Sequence, residues 1–271
     1  MEKLQLWKGR IEERLRELLG RVREPEPLAS AMKYYVFQEG KRVRPLFLTA
    51  VAERLGGNVE DAVTVGCAVE MIHNYSLIHD DLPAMDNDDF RRGQPSCHRK
   101  FGEAIAVLAG DALLTYAFEV LSDLSLYRSL TPENLLRVGR ILAVKSGVSG
   151  MVGGQSLDIT GEEDLEKVNL RKTAALFEAC FLCGGVVAGR EELLDDLEET
   201  GRKVGLLFQI TDDILDRDGY WKRLGAESAL RKAGDMHAEL AVQVSDLFGE
   251  APEIMHLVNL IWERVRGGAP P

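Results

Sequence analysis

Aspartates are concentrated in two short stretches of this chain, and their spacing could support metal chemistry. The first stretch runs from Asp80 to Asp89 and the second from Asp212 to Asp216. In a helix, positions i and i+4 lie on one face, a turn apart, so Asp212 and Asp216 would present two carboxylates together. Unpaired like charges at this spacing repel each other, and a hard divalent cation would relieve that repulsion. The second stretch therefore predicts a site for a divalent cation, with a solvated acidic patch as the alternative.

The first stretch combines acidic residues with two arginines that follow directly. Pro83 disfavours helical geometry at the residue before it, so a helix carrying Asp80 should end there and Asp86 should fold back from a loop. Arg91 and Arg92 lie just beyond the acidic residues. Carboxylates that hold a divalent metal, next to guanidinium groups that grip phosphate oxygens, suit a diphosphate. This stretch therefore predicts a diphosphate-binding site.

A basic segment earlier in the chain could bind a second anion. Lys41, Arg42 and Arg44 follow Gly40 and precede Pro45, which suits the start of a helix. Helix starts favour anions, and flanking basic side chains add hydrogen-bond donors. By itself such a segment is more often only a solvated loop, so its interpretation depends on the two acidic stretches.

In this order and spacing, these segments resemble the trans-isoprenyl diphosphate synthase (polyprenyl synthetase) family, in particular its bacterial farnesyl diphosphate synthases. Met71–Gly93 is similar to the first aspartate-rich motif of the family with a two-residue insertion, and Phe208–Asp216 is similar to the second. The matching blocks between them are Cys97-His98, Phe101–Glu103, Ala109–Leu114, Gly150–Asp158 and Lys172-Thr173. The resemblance extends from about Gly40 to Asp216.

The resemblance implies a role for each matching residue. The implied metal ligands are Asp80, Asp86, Asp212 and Asp216, which would hold Mg²⁺ (three ions per site, with Mn²⁺ as a substitute). The implied ligands of the allylic diphosphate are Arg91 and Lys172, and those of isopentenyl diphosphate are Lys41, Arg44, His73 and Arg92. The residues implied to face the developing allylic cation are Thr173 and Gln209.

The implied reaction is the condensation of isopentenyl diphosphate with dimethylallyl or geranyl diphosphate to give farnesyl diphosphate. Metal-assisted ionisation of the allylic diphosphate is followed by carbon–carbon bond formation and proton loss. In the family, product length is set largely near the fifth residue before the first aspartate, here Tyr75, with Ser76 next to it. A bulky aromatic there resembles C15 synthases, and a C20 geranylgeranyl synthase is the alternative.

The resemblance breaks down after the second acidic stretch. Family members usually have a Gly-Lys-x-x-Gly-Lys-Asp-like loop there, whereas this chain has the shorter Arg217–Gly225, in which Lys222 alone could replace the lysines. The nearest candidates for the basic C-terminal tail of some members are Arg264 and Arg266. A weakly catalytic or non-catalytic prenyl-diphosphate-binding subunit therefore stays open. A class I terpene cyclase would normally have an Asn/Ser/Glu-type metal motif in place of Asp212–Asp216 and would not need Lys41 and Arg44, but both segments are present here.

The elements that must position these residues are predicted to be helices. Apolar residues recur at helical spacing in almost every segment, and Thr131-Pro132 has the pattern of an N-cap followed by proline at the first helical position. The predicted helices lie near 3–21, 28–38, 46–55, 60–81, 102–124, 132–157, 163–182, 196–217, 226–248 and 253–265. Those at 102–124, 132–157 and 196–217 are apolar on most sides and should be central. We expect an all-α bundle of ten or more mostly antiparallel helices around a cavity, the isoprenoid synthase type I fold implied by the resemblance.

Composition bounds the remaining alternatives. The 271 residues carry a net charge of −11, which disfavours a nucleic-acid partner because an acidic surface repels phosphate backbones. The sequence shows no linker or break in composition, so we expect one domain, 1–271. The apolar run 104–121 is interrupted by Asp111 and Glu119, which predicts no membrane span. Four cysteines without an export signal fit the reducing cytoplasm, and a homodimer is implied by the resemblance.

Overall fold

The computed structural model describes residues 2–266. Met1 and residues 267–271, the two ends of the predicted domain, lie outside this range. The helices are α1 Glu2–Arg21, α2 Leu28–Val36, α3 Val43–Arg54, α4 Val59–Asp80, α5 Cys97–Phe101, α6 Glu103–Ser122, α7 Pro132–Ser146, α8 Met151–Ile159, α9 Leu165–Asn169, α10 Ala175–Val187, α11 Leu194–Asp216, α12 Gly219–Leu224, α13 Ala226–Phe248 and α14 Pro252–Arg266. A π-helical turn, Leu170–Ala174, joins α9 to α10. Strands β1 Phe90–Arg91 and β2 Gln94–Pro95 form a short hairpin. The all-α prediction is confirmed.

Local signals account for several helix ends. Asn58 caps α4 by accepting hydrogen bonds from the backbone N–H groups of Glu60 (2.9 Å) and Asp61 (3.1 Å). Thr131 caps α7 in a capping box with Asn134, as the threonine–proline pattern predicts. At its other end α4 stops at Asp80, two residues before the leucine–proline pair that disfavours its continuation.

The most deeply buried helix is α10, in which all 13 residues are buried. It packs against α3, α7 and α11, and aromatic side chains fill the junction. The ring of Phe47 on α3 lies 6.1 Å from that of Phe177 and 5.5 Å from that of Phe181. This helix carries no charge apart from Glu178, whose carboxylate accepts hydrogen bonds from Lys145 and Arg202.

The prediction that the segments 102–124, 132–157 and 196–217 are the central helices is wrong for the first two. On α6 one face is buried, but Val107 and Leu108 are 41% and 50% exposed, and on α7 the side chain of Leu136 is 76% exposed. Apolar residues on all sides of a helix indicate that the helix is buried. The pattern does not say whether it is buried by the same chain or by a partner.

Two predicted helices are divided in the structure. The segment predicted as 132–157 breaks between Ser146 and Met151, where Gly147 leaves helical geometry at ψ −148°. The segment predicted as 163–182 consists of α9, the π-helical turn and α10, and it continues to Val187. The short helices α5 and α12 were not predicted, because five or six residues are too few for periodicity to show.

The β1–β2 hairpin holds the two arginines that follow the first acidic stretch. Its turn consists of Arg92 (φ 52°) and Gly93 (φ 75°), the pair of positive φ angles that a two-residue hairpin requires. Arg91 lies in β1 and pairs with Gln94. The hairpin therefore projects adjacent arginine side chains from a rigid turn.

Within residues 2–266, α6 is the one helix that is long and apolar enough to span a membrane by length and composition. In the structure it packs along α4 with buried small residues and Leu113. One face of α6 is therefore buried in the bundle, and another face, with Val107 and Leu108, is exposed.

Candidate active site

The first acidic stretch folds back on the end of α4, as predicted. Asp80 is the last residue of α4, and the backbone N–H of Asp86 donates to its carbonyl oxygen at 2.9 Å. Burial raises the pKa of Asp80 to about 6; the charge of Lys172 opposes the shift and that of Asp86 adds to it. Two carboxylates that disfavour each other's charge are suited to a divalent cation.

The neighbouring residue Asp81 has a different environment. Its side chain is fully buried and accepts a hydrogen bond from Arg91 Nε at 2.9 Å and another from the Tyr35 hydroxyl. Arg91 also contacts Asp88 at 3.0 Å. Asp81 therefore holds the arginine in place. Sequence reasoning missed this role, although the 100° between consecutive helical positions already implied that Asp80 and Asp81 face different surroundings.

The residues of the basic segment at the start of α3 have two different roles, one structural and one in the lining of a cavity. Arg42 adopts φ 51° and is 3% exposed. It donates to Glu12 and Glu70 at 2.7 Å each, so it anchors the segment internally. Lys41 and Arg44 line a cavity instead. The segment is therefore not merely a solvated loop.

Arg44, which is half-buried, is the centre of a basic cluster with the half-buried His73 and the exposed Arg92. Its guanidinium group lies 4.6 Å from the ring centroid of Phe177 and 5.5 Å from that of Phe208, and its Nη1 lies 3.3 Å from Nε2 of His73. Burial and the adjacent charges of Arg44 and Arg92 hold the pKa of His73 well below its usual value. His73 is therefore neutral, and a bound anion would supply the charge that balances the arginines.

Two adjoining cavities meet at this cluster. The basic cavity, about 580 Å³, and the chain cavity, about 690 Å³, share Arg44, His73, Arg92, Phe208 and Asp212. Lys41 lines the basic cavity. The predicted site residues lining the chain cavity are Arg44, His73, Tyr75, Ser76, Asp80, Arg91, Arg92, Lys172, Thr173, Gln209 and Asp212. Asp86 and Asp216 are exposed and line neither cavity.

The second acidic stretch lies on α11 with Asp212 turned towards both cavities. Burial raises the pKa of Asp212, against the charge of Arg264. Arg264, on α14, pairs with this carboxylate and lies 5.2 Å from the ring centroid of Phe208. The sequence singled out Arg264 only as a substitute for a basic tail; the structure places it in the wall of the basic cavity.

The carboxylates present fit a divalent metal that is shared with a substrate. No group of three potential ligands stands preassembled within residues 2–266, and the four predicted ligands come in two pairs, one at the end of α4 and one on α11. Mg²⁺ is typically held by one or two carboxylates and by phosphate oxygens that complete its shell. Buried oxygen donors with raised pKa values, Asp80 and Asp212, match that requirement.

The π-helical turn presents Lys172 and Thr173 to the chain cavity. Lys172 pairs with Asp158 on α8. The hydroxyl of Thr173 donates to Gln209 Oε1 at 2.6 Å, which joins the turn to α11. Such wide turns occur frequently at functional sites, and this one brings two consecutive side chains to the same cavity.

Tyr75 forms part of the wall of the chain cavity. It is 5% exposed, and its ring meets that of His79 edge to face, 5.8 Å apart. Burial raises its pKa to about 12. The bulky side chain predicted to set product length is therefore buried next to the cavity, one α4 turn and a residue before Asp80.

The short segment after α11 is folded rather than open. It forms α12, with Tyr220 buried at 5% exposure. Lys222, the one lysine that could replace the family's loop lysines, pairs with Asp218 at 2.9 Å and is 66% exposed. It lines neither cavity.

Comparison with solved structures identifies the class of fold. An FPP/GFPP synthase from Zymomonas mobilis superposes with a TM-score of 0.88 at 35% identity, covering 96% of this chain and 99% of that chain. A geranyltransferase from Legionella pneumophila superposes with a TM-score of 0.89 at 33% identity, covering 97% and 96%. The fold is that of the isoprenoid synthases, as predicted.

Comparison of sequences identifies the family. The polyprenyl synthetase profile matches residues 25–229. The chain is 43% identical over 225 residues to a farnesyl diphosphate synthase of Bacillus subtilis, covering 80% of this chain and 76% of that protein. It is 46% identical over 214 residues to the heterodimeric geranylgeranyl pyrophosphate synthase large subunit 1, chloroplastic, of Arabidopsis thaliana, covering 75% of this chain and 58% of that protein. The chain belongs to the polyprenyl synthetase family, which confirms the resemblance.

Proposed function

We propose that the protein is a short-chain prenyltransferase that condenses isopentenyl diphosphate with dimethylallyl or geranyl diphosphate. The observation that carries this proposal is the pair of adjoining cavities. The chain cavity has carboxylates and Lys172 at its margin, and the basic cavity adds Lys41 to the shared Arg44. One metal-bound diphosphate and one diphosphate held by cations alone would thus lie side by side.

The side chains of the site would have two tasks, which are to bind the diphosphates and to stabilise developing charge. Arg91 and Lys172 would grip the allylic diphosphate, and Lys41, Arg44 and Arg92 would hold isopentenyl diphosphate. Mg²⁺, when bound by the predicted ligands Asp80, Asp86, Asp212 and Asp216, would supply the positive charge that favours departure of the diphosphate.

The chain cavity would protect the allylic cation. Thr173 and Gln209 would face the developing positive charge, with the Thr173 oxygen directed towards it. Phe208 and Met151 supply apolar walls, which exclude water that would otherwise quench the cation. The isopentenyl double bond then attacks, and a proton is lost to the departed diphosphate.

We propose farnesyl diphosphate as the product because Tyr75, a bulky and buried side chain five residues before Asp80, lines the chain cavity. Geranylgeranyl diphosphate is the alternative, since relatives named for either product match this chain at similar identity. Membership of the family therefore does not determine the product length, which has to be measured.

We propose a homodimer that covers the exposed apolar side chains of α6, α7 and the residues that follow α7. These side chains are Val107, Leu108, Leu136, Val144 and Val148. Exposed apolar surface of this extent is typical of an interaction site. A second copy of the chain would cover it.

A cytoplasmic location is also part of the proposal. It rests on the free state of all four cysteines, which are buried as thiols, and reducing compartments keep thiols in that state. Some relatives are named chloroplastic, so fractionation of the source cell is the test.

The first experiment is a product assay. Purified protein is incubated with Mg²⁺, labelled isopentenyl diphosphate and either dimethylallyl or geranyl diphosphate, and products are separated by chromatography. A Mg²⁺-dependent C15 product is expected. A C20 product would retain the reaction and reject farnesyl specificity, whereas binding of both substrates without turnover would support the non-catalytic subunit.

A further inference from the structure

A continuous chain of hydrogen bonds links α12 to the chain cavity. The backbone N–H of Tyr220 donates to Asp213 Oδ2 at 2.8 Å. Gln209 Nε2 donates to Asp213 Oδ1 at 2.7 Å, and Thr173 donates to Gln209 Oε1 at 2.6 Å. Thr173 and Gln209 line the cavity, whereas Asp213 lines neither cavity and is 7% exposed.

The chemistry of these groups determines the direction of every bond in the chain. Each oxygen of Asp213 accepts a hydrogen bond from an N–H group, as a carboxylate does, and the Oδ1 atom therefore faces the amide nitrogen of Gln209. The amide oxygen of Gln209 then faces Thr173 and takes its single hydroxyl proton. The Thr173 oxygen is left with lone pairs, and no proton, to direct towards the cavity.

The short segment after α11 is built closely around this carboxylate. Gly219 has a positive φ of 42°, and a Cβ atom at this position would lie 2.1 Å from Asp213 Oδ2. Only glycine therefore lets the chain pass at this distance and bring the Tyr220 N–H onto the carboxylate. The segment Arg217–Gly225, which replaces the family's longer loop, therefore contacts Asp213 directly.

We propose that Asp213 is a positioning residue that sets the hydrogen-bond direction of Gln209 and Thr173, so that the Thr173 hydroxyl presents lone pairs to positive charge in the chain cavity. This inference rests on the proposed prenyltransferase function. Asparagine at position 213 would accept from Tyr220 through its oxygen and present its NH₂ group to Gln209. The Gln209 amide would then turn over, and the Thr173 proton would point into the cavity.

The test compares Asp213→Asn with Asp218→Asn as a matched control. Asp218 belongs to the same segment, is 66% exposed and caps Gly219 N at 2.8 Å, a contact that asparagine keeps. Turnover with geranyl and isopentenyl diphosphates, Mg²⁺-dependent binding of geranyl diphosphate and the unfolding temperature are measured for each. Both variants are repeated in a Thr173→Val background, which lacks the hydroxyl.

Asp213→Asn is expected to lower turnover about tenfold, the effect of one misdirected buried hydrogen bond, with unchanged binding of geranyl diphosphate. It should cause no further loss in Thr173→Val, and Asp218→Asn should match the parent protein. An equal loss in both backgrounds, or weakened Mg²⁺-dependent binding, would overturn the proposal. A parent protein without turnover would instead reject the prenyltransferase function itself.

Discussion

At the scale of single residues, adjacent aspartates have separate roles. Asp80 faces the chain cavity, whereas Asp81 is buried under Arg91 and Tyr35. Asp212 and Asp213 repeat this division, one at the cavities and one behind them. In both pairs the helix turns consecutive side chains about 100° apart, so a doubled aspartate supplies one residue to the cavity and one to its support.

Replacement of Asp81 should destabilise the fold more than replacement of Asp88. Both carboxylates contact Arg91, but Asp81 is fully buried and Asp88 is 49% exposed. Asp81→Asn should lower the free energy of unfolding by about 2 kcal/mol, and Asp88→Asn by less than about 0.5 kcal/mol. Urea denaturation measures both; equal stabilities would contradict the assignment of Asp81 as a buried support.

Replacement of a predicted metal ligand should affect turnover instead of stability. Asp80→Asn should lower turnover about a hundredfold, because the metal supplies several kcal/mol of charge stabilisation, and should raise the Mg²⁺ concentration for half-maximal rate. Asp195→Asn, an exposed acid in the first turn of α11, is the control. A Mg²⁺ titration with geranyl and isopentenyl diphosphates measures this, and an unchanged titration for Asp80→Asn would remove it from the ligand set.

At the scale of elements, α4 carries both Asp80, a predicted metal ligand, and Tyr75, the side chain predicted to limit product length. Tyr75 and Asp80 are five residues apart on one helix, which corresponds to a rise of about 7.5 Å. His73 and Ser76 on the same helix line the cavity between the basic cluster and Tyr75. If Asp80 binds the metal of the allylic diphosphate, this one helix would set the distance between that diphosphate and the Tyr75 ring.

Removal of the Tyr75 ring should lengthen the product. Tyr75→Ala opens space next to a buried wall, so C20 and longer products should appear, whereas Tyr75→Phe keeps the ring and should retain the parent's product length. Chromatography of products from labelled isopentenyl diphosphate gives the ratio, which is independent of the amount of active protein. The same ratio for Tyr75→Ala and the parent would show that another residue limits the chain.

At the scale of the whole molecule, distant segments meet at one site. Arg264, close to the end of the described chain, pairs with Asp212, which lies 52 positions earlier. Arg42 near the beginning is paired with Glu12 and Glu70. The bundle thus brings cations from both ends of the sequence to the carboxylates of α4 and α11.

Charge introduced into the apolar face should separate the proposed dimer. Val148→Glu, at a side chain that is 83% exposed, would bury an unpaired carboxylate in the interface, which is costly. Leu6→Glu, at a 54% exposed position on α1 outside that face, is the control. Light scattering should report a monomer for Val148→Glu and a dimer for Leu6→Glu. A parent protein that is monomeric at working concentration would contradict the dimer directly.

Much of the helical structure could be predicted because its signals are local. Asn58, Thr131 and the leucine–proline pair at position 82 act within a few residues, and the periodicity of apolar side chains extends along each helix. The segment predicted as 226–248 has the same bounds in the structure. The divided helix at Gly147 was missed because its two halves have similar periodicity, and a break of four residues interrupts it too briefly to show.

Residue types and spacing were sufficient to identify the two acidic stretches, the basic segment and the family to which they belong. The tertiary structure decided which member of each pair faces a cavity, that Arg42 forms internal ion pairs while Arg44 lines the cavities, and that α10 is the central helix. It also showed that Asp213 links α12 to the chain cavity through hydrogen bonds. Periodicity is encoded within a turn or two of chain, but burial and pairing depend on side chains contributed by segments far apart in sequence, and these meet only when the bundle has folded.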